Sequence, residues 1–228
     1  MTGIICAMEI EAARILAAST VISEERALGT LYCRAEIGGV PIIVVVCGIG
    51  KALAAAATQR LIDRYAVTSV INTGVAGALA PGVSVGDIII ASSLVQHDAD
   101  TTAIGDPPGL VSGWDIIDIP TNREMSDELK SAAEAEKIPC RIAKIATGDQ
   151  FIASSERKAQ IIATFDAAAC EMEGAAVALV CHINAVPCAV VRCISDGEGE
   201  VMDYQKFKHF AADRSARVII NYIAKKNK

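Results

Sequence analysis

Cys170-Glu171-Met172-Glu173-Gly174 and, further on, Arg192-Cys193-Ile194-Ser195-Asp196 are the stretches on which the reading of this chain turns. In each, an apolar run gives way to acidic residues where a strand hands over to a loop or helix. That junction is the usual place for chemistry in α/β sheets. A carboxylate inside an apolar run is costly to bury unless it has a partner or a task. Two such junctions in one chain point to an enzyme.

Working outward, Ala167 to Glu171 and Cys188 to Ile194 read as strands, with a helix from Gly174 to Asn184 between them. Upstream, Gly3 to Met8 reads as a strand and Glu9 to Ala18 as a helix. Leu28 to Ile37 and Val40 to Cys47 read as a hairpin turning at Gly38-Gly39. A helix follows from Gly48-Ile49-Gly50 to about Tyr65. Val70 to Thr73 is expected as a strand ending in the loop Gly74-Val75-Ala76-Gly77, and Ile88 to Val95 as the next strand. Residues 97–121 are polar and broken by Pro107, Pro108 and Pro120, which predicts a long functional or subunit-contact loop. Then come a helix from Ser126 to Lys137, a strand from Arg141 to Thr147, a helix from Ser155 to Phe165, and a closing helix from Tyr204 to Ala224. In the Ser126 helix, Asp127 and Glu128 would favour the first turn. This alternation predicts a mixed or parallel sheet covered by helices. Neither a repeat nor a linker divides the chain, so residues 1–228 are expected to form one domain.

Composition narrows the function. The 228 residues are 52% hydrophobic and only 4% aromatic, so the core must be built from Ala, Val, Ile and Leu. A formal net charge of -6 without a basic cluster argues against a nucleic-acid partner. The eight cysteines are scattered, without a C-x-x-C spacing, and read as reduced thiols in a cytoplasmic protein. Glu9 and Glu11 interrupt any leader-like apolar run, and no stretch approaches the roughly 20 apolar residues of a membrane span.

Several motifs have plain readings. Gly48-Ile49-Gly50-Lys51 has Leu53 where a dinucleotide fingerprint would place a third glycine, so it reads equally as a tight turn or a close approach to a small ligand. His97-Asp98-Ala99-Asp100 lacks a ligand set at recognisable spacing, and no metal site is expected. The acidic set is stronger. Glu11, Glu173 and Asp196 each follow a strand and would meet at one edge of a mainly parallel sheet. Arg192 alone offers too little positive charge to pair all three. Glu171 is a supporting residue that would point away if Gly174 starts a helix.

Taken in order, the motifs resemble the 5′-methylthioadenosine/S-adenosylhomocysteine nucleosidases of the nucleoside phosphorylase superfamily. The resembling pieces are residues 3–11, 47–51, 71–79, 85–87, 97–100, 147–152, 171–173 and 191–196. The resemblance implies one three-layer α/β domain, with a twisted mixed sheet flanked by helices. It also implies hydrolysis of an N-glycosidic bond to adenine and a 5-thioribose, with neither metal nor organic cofactor. By the same resemblance Glu11 activates the water, Asp196 protonates adenine N7, Glu173 holds the ribose hydroxyls and Arg192 lies near the water. Met8 and Met172 would lie against the sugar, Phe151 would stack on the purine, and the Ile152 backbone would read its edge. Ile49, Ala76, Gly77 and Ser195 would line the rest. A homodimer is implied, its long loop at 97–121 completing the partner's pocket.

The chain departs from the family at Val75, where Ser is common, and at Ile104 and Asp106, where aromatics are usual. Asp106 in such a pocket would disfavour a bare methylthio group and favour an amino-bearing substrate such as S-adenosylhomocysteine. The alternative is that Pro107, Pro108 and Trp114 send that segment along another path. Purine nucleoside phosphorolysis and futalosine-type hydrolysis are the rival activities. A silent nucleoside-binding protein would be expected to lack Glu11 or Asp196, which are both present.

Overall fold

The structure, a computed structural model, describes residues 1–27, 29–197 and 201–227. Leu28, the expected start of the hairpin's first strand, and Lys228 lie outside the described residues. The first half of the chain forms β1 (Thr2–Cys6), α1 (Glu9–Ala17), β2 (Thr20–Ala27), β3 (Thr30–Ile37), β4 (Val40–Val46), α2 (Lys51–Tyr65), β5 (Ser69–Ala78) and β6 (Ile88–Gln96). The second half forms β7 (Ile119–Pro120), α3 (Arg123–Ala135), β8 (Cys140–Thr147), α4 (Ser155–Phe165), β9 (Ala169–Glu171), α5 (Gly174–Ile183), β10 (Cys188–Asp196) and α6 (Val201–Lys225).

Strands with apolar residues on both pleat faces belong in a sheet covered on both sides. In β4, Ile42 and Val44 enter one core while Ile43 and Val45 enter the other. β10 divides the same way, Ala189, Val191 and Cys193 against Val190 and Ile194. The first core is closed by α1, α3 and α6, the second by α2 and α5. This is the expected three-layer arrangement around a mixed sheet.

The strand order is β10-β6-β8-β9-β5-β1-β4-β3-β2, with β7 added beside β6 and β10 also paired to β5. The pairs β5–β10, β10–β6, β6–β8, β8–β9 and β9–β5 close five strands into a ring. β1 runs parallel to β4 and β5, and β10 runs parallel to β5. The C-terminal ends of β1, β5 and β10 therefore share one edge, and the acidic residues sit there.

The structure corrects four expectations. Residues 74–77 are not a loop: β5 runs on through them to Ala78. Its glycines serve close approach, because a Cβ on Gly74 would collide with Glu11 and Arg192, and one on Gly77 would lie 2.9 Å from Asp196 Oδ2. β2 was not anticipated; it is a largely exposed edge strand, mostly polar and charged but with Val21 and Ile22 also exposed, antiparallel to β3. α3 starts before Ser126, with Asn122 Oδ1 accepting the Met125 N–H at 2.9 Å, so the first-turn acid is Glu124 and not Asp127 or Glu128. Pro120 does not break the 97–121 segment; it pairs with Ser93 at the edge of β6.

Gly74→Ala is expected to cost about 1–3 kcal/mol, the usual price of overpacking, read from the urea midpoint. An unchanged midpoint would mean that the Glu11–Arg192 packing over β5 yields readily.

Candidate active site

Glu11 sits in the first turn of α1, just past β1. Its Oε2 accepts the N–H groups of Ala7 and Met8 at 2.8 and 2.9 Å, and its Oε1 that of Val75 at 3.1 Å. Three backbone donors thus pin a buried carboxylate across the β1 and β5 ends.

Glu173 caps the entry to α5. Its Oε1 accepts the Gly50 N–H at 2.9 Å and its Oε2 faces Arg192 Nη2 at 3.3 Å. Gly50 belongs to the turn before α2, so the Gly48-Ile49-Gly50 loop holds a carboxylate of its own chain. Glu171, the last residue of β9, pairs with the Arg192 guanidinium and takes the Thr147 hydroxyl. It also accepts the Glu173 N–H at 3.0 Å and the Gly174 N–H at 2.8 Å, satisfying the open end of α5. Arg192 also donates to Asn72 Oδ1 at 2.5 Å and is fully buried.

Asp196 ends β10. The register of β10 against β5 shifts between Ile194 and Asp196, so that Asp196 rather than Ser195 faces Gly77. Such a bulge inserts one residue and re-aims the next. Ser195 Oγ, on the inserted residue, donates to Asp196 Oδ1 at 2.8 Å.

These carboxylates open onto one cavity of about 350 Å³. Met8, Ile49, Ala76, Gly77, Phe151, Ile152, Met172 and Ser195 all line it, as do Glu11, Glu173 and Asp196. Phe151 meets Tyr204 edge-on, with ring centroids 5.4 Å apart, and the Tyr204 hydroxyl approaches Met8 Sδ at 3.5 Å.

The sequence profile of the phosphorylase superfamily matches residues 2–224. The chain belongs to that superfamily, in its 5′-methylthioadenosine/S-adenosylhomocysteine nucleosidase family. A relative so named from Shewanella loihica is 36% identical over 224 residues, covering 97% of each chain. An aminodeoxyfutalosine nucleosidase from Campylobacter jejuni is 38% identical over 184 residues, 81% of this chain and 79% of its own. The solved structure of a Helicobacter pylori futalosine hydrolase superposes with a TM-score of 0.94 at 34% identity, covering 98% of this chain and 97% of that one.

Within this nucleosidase fold, the residues expected around the substrate come together, with one displacement. Arg192 is not among the lining residues; it lies behind Glu11 and Glu173. Glu171 does not point away, although Gly174 does start the helix: a cation, a hydroxyl and two backbone N–H groups hold it inward. Four further lining residues among those described escaped the sequence reading as site residues. Ala7, Gln150 and Cys170 lie within flagged stretches, and Tyr204 carries no local signal because it belongs to α6, a helix remote in sequence that begins at Val201 and not at Tyr204 as expected. Asp98 holds a corner together: it accepts Lys51 Nζ at 2.6 Å and the Asp149 N–H at 2.8 Å. Asp106 accepts the hydroxyls of Thr101 at 2.7 Å and Ser112 at 3.4 Å, so it organises its own loop.

Burial raises the proton affinity of Glu11, against the opposing pull of Arg192 and the three N–H groups. Burial also pushes Glu173 up to about 7, with Arg192 opposing and the Glu171 charge adding to the rise. Carboxyl groups tuned toward neutral pH are equipped to exchange protons there.

Removing Glu171 leaves the Arg192 guanidinium buried without its main counter-charge. Glu171→Ala is expected to cost about 3–5 kcal/mol of stability, measured by chemical denaturation; a loss below about 1 kcal/mol would show that the pair is dispensable.

Proposed function

We propose that this protein hydrolyses the N-glycosidic bond of 5′-methylthioadenosine and S-adenosylhomocysteine, releasing adenine and a 5-thio-substituted ribose. One observation carries the reading: Glu11, Glu173 and Asp196, far apart along the chain, line a single nucleoside-sized hollow. The nucleosidase relatives support it.

Adenine leaves poorly as an anion. Asp196 gives a proton to N7 as the bond breaks, and the ribosyl carbon gains positive charge. Ionised Glu173 stabilises that charge while accepting the ribose hydroxyls. Glu11 takes a proton from the attacking water, whose oxygen becomes the new anomeric hydroxyl. The division of labour parallels the paired carboxylates of glycosidases, with nitrogen as the leaving atom. Arg192 acts from behind, fixing Glu173 through their 3.3 Å contact. Phe151 faces the purine, Ile152 offers its backbone to the purine edge, and Met8 and Met172 contact the sugar. Ile49, Ala76, Gly77 and Ser195 complete the walls. The reaction so written needs no metal or organic cofactor.

The proposal extends to one domain across residues 1–228 and a cytoplasmic homodimer in which 97–121 reaches the partner's pocket. No helix among the described residues is long and apolar enough to cross a membrane. A second substrate class, aminodeoxyfutalosine-type nucleosides, is favoured by the Campylobacter jejuni and Helicobacter pylori relatives.

Release of the purine base, adenine from adenosine, methylthioadenosine and S-adenosylhomocysteine and hypoxanthine from inosine and futalosine, with and without phosphate, tests the reading. Hydrolysis of the thioadenosines unaffected by phosphate is expected; phosphate-dependent cleavage would replace it with phosphorolysis. Asp196→Asn and Glu11→Gln should each lower kcat by about 10²- to 10⁴-fold with circular dichroism unchanged, and full activity in either would overturn its role. Since Glu173 must be ionised and burial lifts it to about 7, kcat/KM should fall as pH drops below that value. A profile flat from about pH 5 to 8 would remove the ionised Glu173 from the mechanism.

A further inference from the structure

Lysine is rarely buried without a partner. Lys158, in the first turn of α4, is buried nonetheless, and its ammonium points at the end of β10. Its Nζ donates to the Gly197 carbonyl and lies 4.0 Å from Asp196 Oδ2, both side chains being more than nine-tenths buried. The two oxygens of Asp196 thus have different surroundings. Oδ1 takes the Ser195 hydroxyl, while Oδ2 faces the cation. Lys158 does not line the cavity, so whatever it does to a bound nucleoside passes through Asp196.

We propose that Lys158 is a positioning residue for the acid: its ammonium offsets the negative charge that appears on Asp196 as the proton leaves for the purine, and its bond to the Gly197 carbonyl fixes the turn carrying that carboxyl. The inference rests on the hydrolytic reading above, in which Asp196 is the proton donor. A fixed charge placed where charge develops needs no reorganisation during the reaction. In the balance of the step, the proton passes from Asp196 to the base nitrogen, and Lys158 keeps all its own protons.

Around Asp196, the described titratable groups are Lys158 on α4, the Cys170 thiol on β9 and the Tyr204 phenol on α6, with Glu11 and Glu173 across the cavity. Burial pushes the Cys170 thiol up to about 12 and raises the Tyr204 phenol. Both stay neutral over the working range. Glu11 and Glu173 govern the acidic limb, where a carboxylate must be ionised. The alkaline limb belongs to the group that must hold a proton.

The test uses Lys158→Met, Lys158→Gln and Lys158→Arg in the full chain, with kcat, KM and the pH profile of adenine release from methylthioadenosine. Met removes both the charge and the bond to Gly197, Gln retains a donor without charge, and Arg retains the charge. Without the cation the carboxylate is harder to form, so Asp196 keeps its proton to higher pH. The alkaline limb of kcat/KM should therefore move up by about 1 pH unit in Met and Gln, and stay in place in Arg. In Met and Gln, kcat should fall by about 10- to 100-fold with KM nearly constant. Lost activity with an unmoved limb would reduce Lys158 to a structural residue, and unchanged kcat in Gln would overturn the inference outright. Should Met fail to fold, the Gln and Arg pair decides the same question. A wild-type chain that releases no base from any of the five nucleosides refutes the hydrolytic reading, and this inference with it; base release with an unmoved limb refutes this inference alone.

Discussion

The buried guanidinium of Arg192 is the constraint from which the rest of the site follows. A cation in the middle of a sheet must be met by counter-charge and hydrogen-bond acceptors, or the fold is lost. Glu171 from β9, Asn72 from β5 and Glu173 from the start of α5 supply them. Because those partners come from different strands of the closed ring, satisfying one side chain fixes where β9 ends and how α5 leaves it. Glu171 links the two tasks, since the Oε2 that meets Arg192 also receives the first N–H groups of α5. Glu173 is thereby delivered to the cavity already oriented, with its other oxygen held by the Gly50 N–H.

Much of this was legible in the chain because it is written in local chemistry. Doubly apolar strands, the Gly38-Gly39 hairpin and the Ser155–Phe165 helix need no tertiary information. What escaped depends on neighbours distant in sequence. Residues 74–77 look like a loop because glycine is poor in strands; the reason for glycine there lies in Glu11 and Arg192, which the sequence does not place. β2 lacks an apolar face because it pairs on one side only and both its faces meet solvent. For Glu171 the premise holds, since the helix does start at Gly174, but the expectation that the side chain points away does not follow. A carboxylate just before a helix is drawn inward by the free N–H groups and, here, by a cation.

The cavity divides into a floor and a rim of different character. The floor is carboxylates fixed by backbone donors and by Arg192, so its geometry is set by the sheet. The rim is supplied by Ile49, Phe151 and Tyr204 on loops and a helix end, with Ile49 and Phe151 about half exposed. A fixed floor with an adjustable rim is a sensible division for a family whose relatives carry the names of both thioadenosine and futalosine enzymes. Asp106 adds to this picture: with its Oδ2 accepting from both Thr101 and Ser112, it shapes the 97–121 segment from within.

The bulge at Ser195 has an evolutionary corollary. Successive side chains on a strand alternate sides, so the aim of the terminal carboxyl depends on whether an odd or even number of residues separates it from Arg192. Gaining or losing a single codon in the regular stretch before the bulge would swing Asp196 to the opposite side while leaving the guanidinium where it is. The extra residue at Ser195, by contrast, is already absorbed, with Asp196 kept opposite Gly77. Changes of length in that regular stretch therefore spoil the aim of the acid, and replacement of one amino acid by another does not.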